Sequence, residues 1–386
     1  MLATKSLSSQ EKSLYSYLIF FLASIFLIYE TVLQVSLSIV THELMHDLKV
    51  NYLSIGVMSS FYFLGFTIMQ IPGGILFDRG RLKIILSTAC LVCAVGTCLF
   101  AYSQTLVFAC ITRFMIGTGS AFSYNGLLVI ISRWFSSNRF DFLVGFVLLF
   151  VSFGAIGSEF LLSIFIKNCG WRISMTVLGF TGIFLAIILY IFSREDPAYH
   201  IRKSNETGVV RQLQKVLGNA QSFFCAFHVM LIWGTSLTFG VLWGIPFLVK
   251  KLNITTSLAA LIMAFFWVSL AASGPLLGYC SNLFKRRKPF MILASTIGLI
   301  STSVLIYMPN ISINVVCLSL VFMGFACSSQ VLIFALAKDN NPQKYVGLAI
   351  SFTSMLGTLG STLFQTLSGY LLHSFSDGFK SSYAVP

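Results

Sequence analysis

Eleven stretches in which apolar side chains run almost unbroken follow one another along this 386-residue chain. They lie near 16–40, 52–76, 84–103, 105–132, 141–166, 173–193, 222–250, 255–281, 289–309, 312–337 and 345–373. Each is as long as the roughly 20 residues that an α-helix needs to cross the hydrocarbon core of a bilayer. None alternates apolar and polar residues in the short segments of a membrane barrel. The pattern therefore predicts an all-α integral membrane protein whose surroundings are the lipid bilayer.

Composition sharpens this. Only 10% of the residues are charged against roughly a quarter in soluble domains, while 56% are hydrophobic. The net charge of +13 would suit nucleic acid, but its distribution argues otherwise. Eighteen of the 25 Lys and Arg residues fall in alternate loops that include the N-terminus, six fall in the other set, and Arg113 alone lies inside a helix. The positive-inside rule then puts the N-terminus in the cytoplasm of a multi-pass protein. No cleavable signal precedes the first run. The nine cysteines lie mostly inside apolar runs, and "CLVC" at 90–93 lacks further ligands for a metal. The five His residues are scattered, with no nucleophile–base set. Neither an enzyme nor a metal site is expected, and no cofactor is implied beyond a proton gradient as energy source.

A polar segment at 194–219 separates six runs, in residues 1–193, from five, in residues 220–386. Its last part, "VVRQLQKVLG", reads as a plain solvated linker first, and as a short amphipathic helix on the inner leaflet second. After the second run stands "PGGILFDRGRLKIIL", in which Gly74, Asp78, Arg79 and Lys83 match a G-x-x-x-D-R-x-G-x-[RK] loop, with the second Gly displaced to Gly80. Here the sequence resembles the major facilitator superfamily. "GPLLGYCSNLFKRRKPFMIL" repeats the place 204 residues later, with Asn282 where Asp78 stands. "RFMIGTGSAFSYNG" resembles the family's R-x-x-x-G helix with Arg113 and Gly117. The resemblance implies two six-helix bundles with a cytoplasmic gate built on that loop. Eleven runs leave the expected twelfth helix missing. It also resembles a bacterial subgroup, in the inner membrane, similar to amino-acid and short-peptide transporters.

Three charges lie inside the runs: Glu30, Arg113 and Glu159. At 1.5 Å per residue each sits ~10–15 Å below the same membrane surface. A charge at that depth is costly unless it faces a cavity or a partner. Gln34 follows Glu30 by one turn, and Ser120 and Tyr124 continue the Arg113 face. One arginine cannot neutralise two carboxylates, so one of them is expected to exchange protons near neutral pH. Arg113 would then hold an anionic group of the solute, and Glu30 or Glu159 the coupling proton. The alternative is a permanent Glu30–Arg113 pair. Weaker candidates are His228, which could titrate or snorkel, Trp243, as cavity wall or interfacial anchor, and Gln330. "HELMHD" at 42–47 reads as a solvated loop.

The expected activity is secondary active transport of a small polar solute, an amino acid or short peptide first, by a monomer working through alternating access and proton symport. Drug or metabolite efflux and an inactive truncated transporter are the alternatives.

Overall fold

A computed structural model describes residues 9–79, 81–135, 137–193, 218–284, 286–341 and 346–382. These residues form helices and connecting turns without strands. In chain order the helices are α1 (Ser9–Ile39), α2 (Thr41–Asp47), α3 (Tyr52–Arg79), α4 (Leu82–Ala101), α5 (Leu106–Trp134), α6 (Ser137–Gly157), α7 (Ser163–Cys169) and α8 (Trp171–Phe192). There follow α9 (Ala220–Leu237), α10 (Gly244–Leu252), α11 (Thr256–Leu283), α12 (Lys288–Tyr307), α13 (Ile313–Ser328), α14 (Gln330–Asp339) and α15 (Val346–Ser382).

All eleven predicted runs coincide with these helices. Three of the runs contain an interruption. A π-helical segment at Ser158–Leu162 joins α6 to α7, another at Thr238–Trp243 joins α9 to α10, and a break at Ser329 separates α13 from α14. Ten spans among the described residues are long and apolar enough to cross a membrane. The linker at 194–219, except Gly218 and Asn219, lies outside the described residues, and so does the amphipathic segment within it.

Local chemistry sets the helix ends. Thr105 caps α5 by accepting a hydrogen bond from Phe108 N, and Asn219 caps α9 by accepting one from Gln221 N. Gly170, at φ 81°, turns the chain between α7 and α8, and Asn253 ends α10 in the left-handed region at φ 53°. Pro72 in α3 and Pro275 in α11 stand within one residue of equivalent places in the two halves, and each removes one backbone hydrogen bond from a long span.

Helix packing follows from small residues. A Cβ on Gly117 would lie 1.9 Å from Tyr62 O, so only glycine lets α5 cross α3 backbone to backbone. A Cβ on Gly56 would lie 2.4 Å from Gln365 O, which makes the same demand where α3 meets α15. The α3–α15 seam joins the two halves. Its hydrogen bonds run from Asn51–His373 (3.2 Å) through Ser60–Thr366 (2.7 Å) to Thr67–Thr358 (2.8 Å). The sixteen residue steps from Asn51, just before α3, to Thr67 span ~24 Å, so the seam closes the end of the bundle that carries α2.

Candidate functional site

The buried charges meet around α1. Glu30 of α1 accepts hydrogen bonds from Tyr62 of α3 and from Ser123 of α5, the latter at 3.4 Å. Arg113 of α5 donates from Nη1 to Leu33 O at 3.0 Å, and its guanidinium carbon lies 4.8 Å over the centre of the Tyr62 ring. Ser158, beside Glu159, donates to Val32 O at 3.2 Å. Adjacent carbonyls of α1, two and three residues past Glu30, thus receive the segments that carry the other two charges.

A Glu30–Arg113 ion pair, one of the sequence expectations, is not formed. Tyr62 stands between the two groups, with its hydroxyl on the acid and its ring face under the cation. Arg113 is 1% exposed, and no carboxylate among the described residues pairs with it. Its Nε and Nη2 atoms have no partner. Leaving buried charged donors unpaired costs on the order of 1–3 kcal/mol or more each, and Arg113 leaves two of its nitrogens in that state.

Glu159 occupies the π-helical segment after α6, a distortion that re-aims side chains within a helix. Its Oε1 accepts the indole N–H of Trp267, on α11, at 2.9 Å, and this bond joins the two halves. Its Oε2 is buried without a partner.

The structure places the remaining expected residues less evenly. Ser120 is fully buried, with Oγ 3.6 Å from Cys93 Sγ, while Gln34 and Tyr124 are half-buried on the helices that hold Glu30 and Arg113. Trp243 is no interfacial anchor. It is buried, donates to Ser368 Oγ at 2.7 Å, and its ring centre lies 6.0 Å from that of Tyr52. His228 stands apart from the charges, in a cavity of about 430 Å³ between α9, α12 and α14 whose other polar lining includes Gln221 and Lys288. Gln330 is buried at the start of α14. In the gate motif, the side chains of Gly74, Asp78, Arg79 and Asn282 lie outside the described residues. Lys83 lies 4.3 Å over the Tyr190 ring of α8.

The stretch 42–47, expected as a solvated loop, lies wholly within the helix α2. Its Asp47 accepts from the Trp171 indole at 2.8 Å and lies 3.6 Å from Arg172 Nε. The indole N–H, then His46 and Arg172, hold the Asp47 carboxyl below the ordinary carboxylate range.

Sequence reasoning missed Tyr62, Ser123, Trp267 and Gln365. Gln365 of α15 is 0% exposed, and both of its amide atoms lack a partner. A lone glutamine in the apolar run 345–373 was the available signal for it; the other three residue types recur throughout such helices.

The chain matches the family model described as Major Facilitator Superfamily over residues 17–249 and 223–386. It is similar to the probable galactarate/D-glucarate transporter GudP of Bacillus subtilis (strain 168), 22% identical, with 88% of this chain and 82% of that one covered. The hexuronate transporter of the same organism is also 22% identical, with coverages of 89% and 86%. Among solved structures, a bacterial homolog to the human lysosomal transporter Spinster, inward-facing and unoccupied, superposes with a TM-score of 0.76. It is 14% identical, and the match covers 96% of this chain and 86% of that one. The solutes named in these relatives are sugar acids, and not the amino acids or short peptides expected from the sequence.

Proposed function

This chain belongs to the major facilitator superfamily, and we propose that within it the protein is a proton-coupled symporter of a hydroxylated organic acid of the sugar-acid class. It is a multi-pass membrane transporter, and not an enzyme. The observation that carries the substrate class is Arg113, a fully buried guanidinium with two unpartnered nitrogens and no carboxylate partner. Its planar fork suits a carboxylate accepted through two parallel bonds. The named solutes of the similar bacterial transporters support the same class.

Glu30 carries the coupling proton in this reading. It shares Tyr62 with Arg113, so a change of charge at either group is felt by the other through one side chain. Glu159 holds the two halves together through Trp267. Residues 1–193 and 220–386 rock about these contacts, with the N-terminus in the cytoplasm of a bacterial inner membrane. The basic inner loops and the bacterial relatives support that placement.

The test is uptake of labelled D-glucarate and D-galacturonate into liposomes holding the full chain, with an inward proton gradient. Accumulation that collapses in Glu30→Gln while solute exchange survives is the expected result. Accumulation unchanged in Glu30→Gln overturns the proton assignment, and uptake unchanged in Arg113→Ala overturns the anion site.

A further inference from the structure

We infer that Gln365 is the second half's contact to the transported solute, and that it reads a hydroxyl group of the acid whose carboxylate Arg113 holds. This rests on the sugar-acid reading and adds a specificity-determining residue to it.

The side chain is fully buried, yet neither Oε1 nor Nε2 has a partner. A primary amide can make about four hydrogen bonds, and burying it with none costs roughly 1–3 kcal/mol. A helix in contact on all sides would select leucine there. The placement on α15 shows where the amide is aimed. Thr358, Thr362, Thr366 and His373 form one stripe that bonds α3. Gly357, Gly360 and Ser368 form another that packs on α9 and the Trp243 segment. At 100° per residue Gln365 falls between the two stripes, on the sector directed between α3 and α9 into the interior. Ser361, one turn earlier and also fully buried, continues that sector. The same α3 presents Tyr62 to Glu30 and Arg113, and α1 packs against the Trp243 segment from the other side. Gln365 thus borders the compartment in which the first half keeps its charges.

Chemistry selects the ligand group. Arg113 offers only donors and takes the carboxylate. A neutral amide offers two donors and an acceptor, which matches a hydroxyl that both donates and accepts. A solute held by Arg113 at one end and Gln365 at the other spans the two halves, so occupancy favours their approach.

The experiment measures binding of D-glucarate and of adipate to the whole 386-residue chain by calorimetry. Both probes are six-carbon diacids, and adipate lacks the hydroxyls. Wild type should bind glucarate about 10- to 100-fold more tightly than adipate. In Gln365→Leu that ratio should fall to within about threefold of unity, with the adipate Kd little changed, and Gln365→Asn should give an intermediate ratio. An unchanged ratio in Gln365→Leu overturns the inference and leaves the sugar-acid reading standing; there the amide holds only water. Loss of both acids alike in Gln365→Leu and Gln365→Asn also overturns it, since that is a structural effect. If wild type binds neither acid, the sugar-acid reading falls and this inference falls with it.

Discussion

The two halves of this protein share a plan and differ in chemistry. Each places a proline in its second span, at Pro72 and Pro275, and each follows that span with a basic loop. Yet the first half buries Glu30, Arg113 and Glu159. The second half contains no Glu, keeps its Lys, Arg and Asp residues among the described residues toward helix ends or between helices, and buries Trp267, Trp243 and Gln365 instead. Packing differs as well. The third span of the first half, α4, is mostly buried, under α5 and α8, whereas α12 buries only Ala294, Ser301 and Leu305 and packs mainly on α13. A shared helical frame therefore does not require shared function within it. Charge is concentrated in one half, and the other supplies neutral hydrogen-bonding groups and aromatic surface.

Removing the charge that defines the first half should have the largest effect. Arg113→Ala should weaken solute binding by about 10- to 150-fold, the worth of a charged hydrogen bond in a dry site, with Arg113→Lys recovering part of it. Titration calorimetry with D-glucarate reads this directly, and a change under threefold would remove the basis for the division of labour. Gly117→Ala comes next. Its new methyl would meet Tyr62 O, so α3 and α5 must separate, at a cost on the order of 1–3 kcal/mol, visible as a lower Tm in detergent.

Tyr62→Phe keeps the ring beneath Arg113 and deletes the hydroxyl on Glu30. It should alter the pH dependence of uptake while changing the solute Kd less than about threefold, and equal loss in both measurements would contradict a relay through Tyr62. Trp267→Phe removes one neutral-to-acid hydrogen bond between the halves, worth about 1 kcal/mol. It should raise the reactivity of a cysteine introduced at Ser158 toward a water-soluble thiol reagent by a few-fold.

The smallest effect is expected at Asp47→Asn, away from the charges. Because the folded Asp47 carboxyl is held below its ordinary range, its contribution is present at neutral pH and is lost as pH falls through the lowered value. The variant should therefore lower Tm slightly at pH 7 and match wild type in strong acid; the opposite ordering would contradict the Trp171 contact as its cause.

Much of this was legible in the chain. Spans such as 52–76 and 289–309 were readable because a helix in lipid must be apolar along its whole length, whatever its neighbours are. Glu30, Arg113 and Glu159 were conspicuous for the same reason, and their depths followed from the rise per residue. Partners were another matter. Nothing in "SSFYFLG" separates Tyr62 from its aromatic neighbours until Gly117 lets α5 cross α3 at that point. Likewise Trp267 is one apolar residue among many until the π-helical segment turns Glu159 toward it. The sequence by itself determined which residues enter the membrane and which of them carry charge, since transfer into lipid acts on each segment independently. Only the tertiary structure decided that Tyr62 parts the acid from the base and that Arg113 is left without an anion, because those outcomes depend on which helix faces meet.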